Sequence, residues 1–222
     1  MRRIEVVIIA HNEGEYALKM IGSIPSWPIH YIADRCTDGT QDCLSIYDKI
    51  DLVDTTDMGL TGRQTSFCRN LGLSRCHPDS DVLFLDGDRY PVSGSLLNAI
   101  ESCETDILCL KVFFDTRRTA DFQENYGKMD NGFFSCGIFF RRNAINAIQE
   151  YQNGELFNTS LQSEWGIEDT SLGDLAYHLS LTASLSDKVK LRGGFEKTRL
   201  DSLDALEKRL RFRENLSVKW KG

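Results

Sequence analysis

The chain has 222 residues, 41% of them hydrophobic and 10% aromatic, which is enough for one substantial hydrophobic core. It lacks any run of 18 or more apolar residues, and His11 and Glu13 interrupt the apolar stretch near its start, so we expect neither a membrane span nor a signal peptide. The seven cysteines are odd in number, scattered and without a CxxC pair. This usage argues against a disulfide framework or a zinc site and is typical of a cytoplasmic protein.

The formal net charge of −7 is unevenly distributed along the sequence. Residues 188–222 contain eleven Lys/Arg and five Asp/Glu, so this C-terminal segment carries +6 and the rest of the chain −13. A basic tail on an acidic body is compatible with an anionic partner such as nucleic acid, an anionic lipid or a phosphorylated acceptor, and equally with a solvated helix face.

The first 90 residues alternate between predicted strands and helices. Ile4–Ala10 is an apolar, β-branched run, typical of a strand buried on both faces of a parallel sheet. The elements that follow are a helix over 13–24, a strand at Ile29–Ala33, a helix from about residue 41, a strand at 52–54, a helix over 62–73 with Phe67, Leu71 and Leu73 facing inward, and a strand at 82–85. This order predicts βαβ units, and so an α/β fold with a mostly parallel central sheet flanked by helices and a Rossmann-like N-terminal half.

The pattern changes after residue 90. Strands rich in aromatic and aliphatic residues are predicted at 106–114 and 133–140, with a loop or helix over the site at 115–131 between them. Further helices are predicted at 170–181 and 203–216. We therefore expect one domain, with a nucleotide-binding half at about 1–90, a second half at about 91–185 and a basic extension at about 186–222.

Two carboxylates, Asp86 and Asp88, stand directly after the strand at 82–85 and are separated by Gly87. In open α/β sheets, ligands bind just outside the carboxyl ends of the strands. Carboxylates there could hold Mg²⁺ or Mn²⁺, because such an ion is bound by a few carboxylates together with substrate phosphates. Asp-Gly-Asp is also an ordinary turn sequence.

Polar residues also end the first two strands. Ala10-His11-Asn12 ends the first and Asp34 the second, so three strand ends are expected to face one crevice. The Asp34 carboxylate could accept hydrogen bonds from a nucleobase or ribose, or it could serve the turn at 34–40, where Asp38 is predicted to cap the next helix.

Two further groups of charged residues suit a nucleotide and a transfer reaction. Arg63 and Arg69 lie in the helix predicted at 62–73, where a planar guanidinium can pair with diphosphate oxygens or form a surface ion pair. Glu168 and Asp169 precede the helix at 170–181. A carboxylate at a helix start is stable as the anion and can act as a general base, although Glu-Asp is equally an ordinary helix start.

Together, these motifs resemble those of the family 2 glycosyltransferases of the GT-A fold, over roughly residues 4–181. The run from Ala10 to Glu13 resembles the end of that family's first strand, and residues 34–40 (DRCTDGT) resemble its D-x-x-S/T-x-D-G-T stretch. Residues 62–72 resemble its G-x-x-x-A-R-N-x-G helix, with Cys68 in place of the usual alanine. Residues 86–88 resemble its Asp-x-Asp motif, and residues 165–169 resemble its acceptor-side Glu-Asp motif.

The resemblance implies a metal-dependent, inverting transfer of a sugar from a nucleotide-diphosphate donor, usually a UDP-sugar, to an acceptor hydroxyl. The residues implied to bind the donor are Ala10, His11, Asn12, Glu13, Asp34, Arg63, Arg69, Asp86, Gly87 and Asp88, with Asp34 on the nucleoside. Asp88 is implied as the principal ligand of Mn²⁺ or Mg²⁺ with Asp86 assisting, Asp169 as the catalytic base with Glu168 beside it, and Trp165 and Gly166 on the acceptor side.

Two positions are less typical of the family. Arg35 follows Asp34 where an acidic or amide residue is commoner. His178 lies nine residues after Asp169, where it could complete the metal shell, reach the diphosphate, or be a core or surface histidine.

Two other functions share features with this reading. A nucleotidyltransferase would use a similar sheet and a metal, but it would normally carry a Gly-rich, basic loop after the first strand, where this chain has HNEGEYA. A catalytically silent binding domain would not need Asp34, Asp86, Asp88, Glu168 and Asp169 together. The acceptor stays open between a glycan or lipid-linked precursor and a modified nucleic-acid base, the anionic choices being compatible with the basic C-terminal segment.

Overall fold

Eight strands form one sheet in the computed structural model of the chain, which describes residues 2–113, 137–161 and 167–192. The strands are β1 (Ile4–Ala10), β2 (Ile29–Ala33), β3 (Ile50–Asp54), β4 (Asp81–Asp86), β5 (Tyr90–Gly94), β6 (Ile107–Phe113), β7 (Gly137–Phe140) and β8 (Ala183–Arg192). The helices are α1 (Gly14–Ser23), α2 (Thr40–Leu44), α3 (Thr65–Arg75), α4 (Leu96–Glu101), α5 (Arg142–Tyr151) and α6 (Ile167–His178), with 3₁₀ turns at Thr56–Met58 and Thr159–Leu161.

The strand order across the sheet is β3-β2-β1-β4-β7-β6-β8-β5. The first four strands are parallel and lie in the order 3-2-1-4, which is the arrangement of a Rossmann-like half. β7 pairs antiparallel with β4 and β6, and β5 pairs antiparallel with β8, whereas β6 and β8 are parallel. Six of the eight strands therefore run in one direction, as predicted for a mostly parallel sheet.

Helices cover both faces of the sheet. Along β1, Val6 and Ile8 join the hydrophobic cluster beneath α1, α2 and α4, and Val7 joins the cluster beneath α3, α5 and α6. Successive residues of a strand point to opposite faces, so a strand covered on both sides must be apolar throughout. This explains why β1 and β4 appear in the sequence as unbroken apolar runs.

Helix α3 packs closely on β1 at a glycine. A Cβ atom on Gly72 would overlap Cγ1 of Val7 and lie 3.3 Å from its Cβ. The predicted inward face of this helix is only partly correct, because Leu73 is buried whereas Phe67 and Leu71 are half-buried. The buried residues of the helix are Ser66, Cys68, Arg69, Gly72 and Leu73, so three of the five are small and one is an arginine.

Several elements were not predicted from the sequence: β5, α4, α5 and β8. β8 continues past residue 186, where the sequence analysis began the basic extension, and its Val189 and Leu191 are buried in the core. The predicted loop at 115–131 and helix at 203–216 lie outside the described residues.

Six cysteines lie within the described segments, and all are free thiols. Within residues 2–113, 137–161 and 167–192, no helix combines the length and the apolar character that a membrane crossing needs.

Candidate active site

The carboxyl ends of β1, β2 and β4 lie side by side at one edge of the sheet. Ala10 pairs with Ala33, and the next residue, Asp34, donates its backbone N–H to the Ala10 oxygen at 2.8 Å. Nδ1 of His11 lies 2.6 Å from the Asp34 carbonyl oxygen. The three strand ends therefore meet as expected, and these contacts join the ends of β1 and β2.

A cavity of about 500 Å³ opens at this edge. Its volume is within the range of small-molecule sites, roughly 300–1,000 Å³. Seven of the residues predicted to bind a donor line it: Ala10, His11, Glu13, Asp34, Arg63, Asp86 and Asp88. The other lining residues are Ile9, Arg35, Gly62, Thr65 and Cys68.

One wall of the cavity is an ion pair between two neighbours in sequence. Arg35 has a positive φ of 50°, and its guanidinium folds back onto Asp34, with Nε donating to Oδ1 at 2.7 Å and Nη2 to Oδ2 at 2.9 Å. The same guanidinium donates to the carbonyl oxygens of Leu60 and Gly62, and the Thr55 hydroxyl donates to Asp34 Oδ1 at 3.2 Å. Asp34 thus lies at the cavity as predicted. Its carboxylate is paired with Arg35, which was not predicted as a site residue.

Two polar residues of this region act within loops. Asn12, with φ of 59°, accepts the backbone N–H of Thr37 at 2.6 Å, and it is absent from the cavity lining. Its side chain therefore holds the loop after β2, and its contact with a donor stays a prediction. Asp38 accepts N–H groups from Gly14 at 3.0 Å and Thr40 at 3.1 Å, so it ties together the starts of α1 and α2.

Asp86, the last residue of β4, and Asp88, two residues later, are each paired with a buried arginine. Nη2 of Arg69 donates to Oδ1 of Asp86 at 2.8 Å, and Nε of Arg89 lies 3.2 Å from Oδ1 of Asp88. The side chains of Arg69 and Arg89 are 3% and 1% exposed, whereas those of Asp86 and Asp88 are 29% and 17% exposed. The carboxylates reach the cavity, while the cations that balance them lie behind it.

Gly87 lets the turn between these carboxylates pack onto the end of β1. A Cβ atom there would lie 2.5 Å from the Ala10 Cβ and would overlap the Glu13 carboxyl group. Burial, and then the charges of Asp88 and Asp86, raise the pKa of Glu13 to about 9. Burial and the two neighbouring carboxylates thus favour the neutral form of Glu13.

The first turn of α6 contains Glu168 and Asp169, which the sequence analysis placed just ahead of the helix. Nη1 of Arg69 lies 3.6 Å from Oδ1 of Asp169, and Nη2 of Arg63 lies 3.5 Å from Oε1 of Glu168. Burial alone would lower the pKa of Arg69, but the charges of Asp86, Asp169 and Glu168 outweigh it and raise that pKa. One guanidinium therefore bridges the end of β4 and the start of α6.

The two acidic residues of α6 have different surroundings. The Glu168 side chain is 1% exposed, and burial, followed by the charge of Asp169, raises its pKa to about 7 against the opposing effect of Arg63 and Arg69. Asp169 is 18% exposed. Asp169 is thus the more exposed of the two, and neither carboxylate is among the residues that line the cavity.

His178 lies at the far end of α6, nine residues or roughly 14 Å along the helix axis from Asp169. Its ring packs edge-on against Tyr151, and it lines a different cavity together with Thr105 and Ala183, at the amino ends of β6 and β8. This is the edge of the sheet opposite Asp86, so the structure does not bring His178 to the metal or diphosphate as the sequence analysis allowed. Trp165 and Gly166 lie outside the described residues.

The donor set at the cavity fits a hard divalent cation. Asp86 and Asp88 offer carboxylate oxygens at the cavity surface, which suits Mg²⁺ or Mn²⁺ when phosphate oxygens complete the coordination. Three side chains with converging ligand atoms, Glu5, His30 and Cys76, lie elsewhere in the described part of the chain. There, the Glu5 carboxylate is occupied by hydrogen bonds from Arg3, Ser80 and the His77 backbone and by the His30 ring. That group is a structural network rather than an open site.

Neither Arg35 nor Arg89 was predicted as a site residue, although one feature of the sequence points to both. The dipeptide Asp-Arg occurs at Asp34-Arg35 and at Asp88-Arg89, so an arginine directly follows two of the predicted site aspartates. In each case the arginine pairs with the aspartate that precedes it.

The sheet order and its polar carboxyl edge define the α/β GT-A fold, the nucleotide-diphospho-sugar transferase fold. No protein-family model and no curated protein matches the chain. Among solved structures it is similar to residues 1–349 of Staphylococcus aureus TarS in complex with UDP, with a TM-score of 0.68 and 18% identity over 96% of this chain and 65% of that one. A second structure of TarS 1–349 gives a TM-score of 0.65 at 19% identity, with the same coverage.

The longer S. aureus TarS structure gives a TM-score of 0.64 at 19% identity over 98% of this chain. The chain spans 65% of the TarS 1–349 structure and 39% of the longer one. At this identity the similarity shows the fold, which confirms the GT-A-like architecture predicted from the sequence.

Proposed function

We propose that the chain is a glycosyltransferase that moves a sugar from a UDP-sugar to an acceptor hydroxyl, with Asp169 as the general base. The observation that carries this proposal is the cavity that brings Asp34, Arg63, Asp86 and Asp88 together at the carboxyl edge of the sheet. The structure of TarS in complex with UDP, which shares the fold, supports the choice of a uridine nucleotide.

The nucleoside of the donor is expected at the Asp34–Arg35 wall and its diphosphate towards the other side of the cavity. Arg63 lines the cavity with a side chain that is 30% exposed, so its guanidinium can pair with phosphate oxygens. Arg69 is too deeply buried for that contact. We therefore assign the diphosphate to Arg63 rather than to Arg69.

Asp86 and Asp88 are proposed to hold Mg²⁺ or Mn²⁺ together with the donor diphosphate. When bound, such an ion neutralises charge on the leaving nucleoside diphosphate and acts as a Lewis acid. The buried partners Arg69 and Arg89 hold both carboxylates in place at the cavity surface.

Asp169 is proposed to take the proton of the acceptor hydroxyl. The hydroxyl oxygen then bonds to the anomeric carbon as the bond from that carbon to the diphosphate oxygen breaks, and the electron pair leaves with UDP. A single displacement of this kind inverts the anomeric configuration. The acceptor, whether a glycan, a lipid-linked precursor or a nucleic-acid base, remains a prediction, as does the role of the basic segment.

The test measures binding and slow hydrolysis of UDP-, GDP-, TDP- and CMP-sugars with Mn²⁺, Mg²⁺ and EDTA. Asp88→Asn and Asp169→Asn are compared with Asp79→Asn, a control at an aspartate whose side chain is 88% exposed. Asparagine is preferred to alanine at position 88 because it leaves the buried Arg89 a hydrogen-bond acceptor.

We expect one uridine sugar to bind only with metal. Asp88→Asn should lose that binding, Asp169→Asn should keep it but lose turnover, and Asp79→Asn should behave as wild type. If no nucleotide sugar binds with either ion, the glycosyltransferase proposal fails. If binding occurs and Asp169→Asn turns over normally, the assignment of the base fails alone.

A further inference from the structure

The side chain of Asn70 is bonded entirely to the backbone of a distant segment. Its Nδ2 donates to the Phe157 carbonyl oxygen at 2.7 Å, and its Oδ1 accepts the N–H groups of Leu156 at 3.2 Å and Phe157 at 3.0 Å. Asn70 lies in α3, and the segment it holds follows α5, more than 80 residues later in the chain. The Asn70 amide thus satisfies backbone N–H and C=O groups of that segment, as the backbone of a neighbouring strand would.

Phe157, which Asn70 holds in this way, supports the guanidinium of Arg69. Phe157 is fully buried, and its ring makes edge-on contacts with Phe84, at 5.0 Å between centroids, and with Phe140, at 6.4 Å. Cζ of Arg69 lies 5.2 Å from the centroid of the same ring. The guanidinium therefore rests on an aromatic face that is fixed by its neighbours and by Asn70.

Arg69 connects the two halves of the reaction site. Its Nη2 donates to Asp86 at the end of β4, and its Nη1 lies 3.6 Å from Asp169 at the start of α6. Because the side chain is only 3% exposed, its position is set by the protein and not by solvent. The orientation of the base relative to the metal-binding carboxylate thus depends on where this guanidinium sits.

We propose that Asn70 is a positioning residue for the transfer reaction. It fixes Phe157, whose ring holds the Arg69 guanidinium between Asp86 and Asp169. This inference rests on the proposed function, and it gives Asn70 of the G-x-x-x-A-R-N-x-G-like helix a role that acts through Arg69 rather than on the donor.

The kinetic test compares Asn70→Ala with Asn143→Ala, a control that removes an exposed amide bonded to Asp106 at the opposite edge of the sheet. Misplacement of a catalytic group by about 1 Å can cost roughly 100-fold in rate. We expect kcat for Asn70→Ala to fall by about 10- to 100-fold while the dissociation constant of UDP with Mn²⁺ stays close to that of wild type. Asn143→Ala should keep wild-type kcat.

Phe157→Leu tests the second link, because the backbone bonds to Asn70 survive this change. If both residues act through Arg69, the double variant should lose no more kcat than the worse single variant. If the losses of kcat in the two single variants add up in the double variant, the two residues do not act through one contact and the proposal is wrong. It is also wrong if kcat falls only in proportion to the fraction of folded protein, because Asn70 would then only stabilise the fold.

A crystal structure of the variant tests the positioning role of Asn70 independently of activity. In a crystal structure of Asn70→Ala, Phe157 and Arg69 should shift, and the Arg69–Asp169 contact should open. If both Arg69 contacts keep their wild-type distances, the positioning role is refuted whatever the kinetics. If instead wild type transfers no sugar, the proposed function fails, while this comparison still shows whether Asn70 sets the position of Arg69.

Discussion

Replacing Gly72 by alanine tests how closely α3 lies on the sheet. The added Cβ would overlap Cγ1 of Val7 and come 3.3 Å from both its Cβ and its Cγ2. Val7 is fully buried in β1, and its β-branched side chain cannot rotate away without meeting other core atoms. The helix must therefore move outward, or the strand must shift.

Two opposing contributions set the size of the effect. Alanine favours a helix over glycine by about 1 kcal/mol. Overpacking a well-filled core costs about 1–3 kcal/mol. Because the overlap is with a rigid side chain in a central strand, the cost should lie at the upper end. We expect a net loss of about 1–2 kcal/mol in the free energy of unfolding.

Gly22→Ala is the matched control. Gly22 also lies in a helix, α1, but it is exposed, and an added Cβ there would meet no atom within 4 Å. That variant should be neutral or more stable by up to about 1 kcal/mol. Urea unfolding of both variants measures the difference. If Gly72→Ala is as stable as Gly22→Ala, an added Cβ at position 72 does not meet Val7, and α3 lies farther from β1 than these distances require.

Three further predictions concern single side chains. Burial raises the pKa of Glu168 from 4.5 to about 7. The wild type should therefore lose stability relative to Glu168→Gln as the pH rises through this window, by at most about 3 kcal/mol. If urea unfolding shows a difference between the two proteins that does not change with pH, Glu168 is not buried in this way. Asp38→Ala removes the acceptor for the backbone N–H groups of Gly14 and Thr40, and it should lower the free energy of unfolding by about 1 kcal/mol. An unchanged midpoint of thermal unfolding would show that these hydrogen bonds do not form in solution. His178→Ala should leave Mn²⁺ and UDP affinity unchanged in calorimetric titration, since the residue lies at the opposite edge of the sheet; weaker metal binding would return it to the site.

The first half of the fold could be predicted from the sequence because its signals are local. The strands β1, β2 and β4 are short apolar runs that end in polar residues, and each pattern is complete within about ten residues. β5 could not be predicted in this way. It is a largely exposed edge strand containing Pro91, and it exists because β8 pairs with it about 100 residues later.

The candidate site also has a part that local sequence signals predict and a part that they do not. Asp34, Asp86 and Asp88 could be placed at one edge because parallel strands bring their carboxyl ends together, and the cavity lies there. Arg69 was expected at the donor diphosphate but is buried between Asp86 and Asp169. A helix position alone does not determine which of several neighbouring charges an arginine meets.

The sequence by itself determined which residue types stand at the strand ends, and therefore where a nucleotide and a divalent cation would be expected. Only the tertiary structure decided which distant charges meet there: that Arg69 joins Asp86 and Asp169, and that Arg63 lies beside Glu168. The physical reason is range. Strand and helix patterns arise from residues close in sequence, whereas the position of a buried charge is set by packing between segments that lie far apart in the chain.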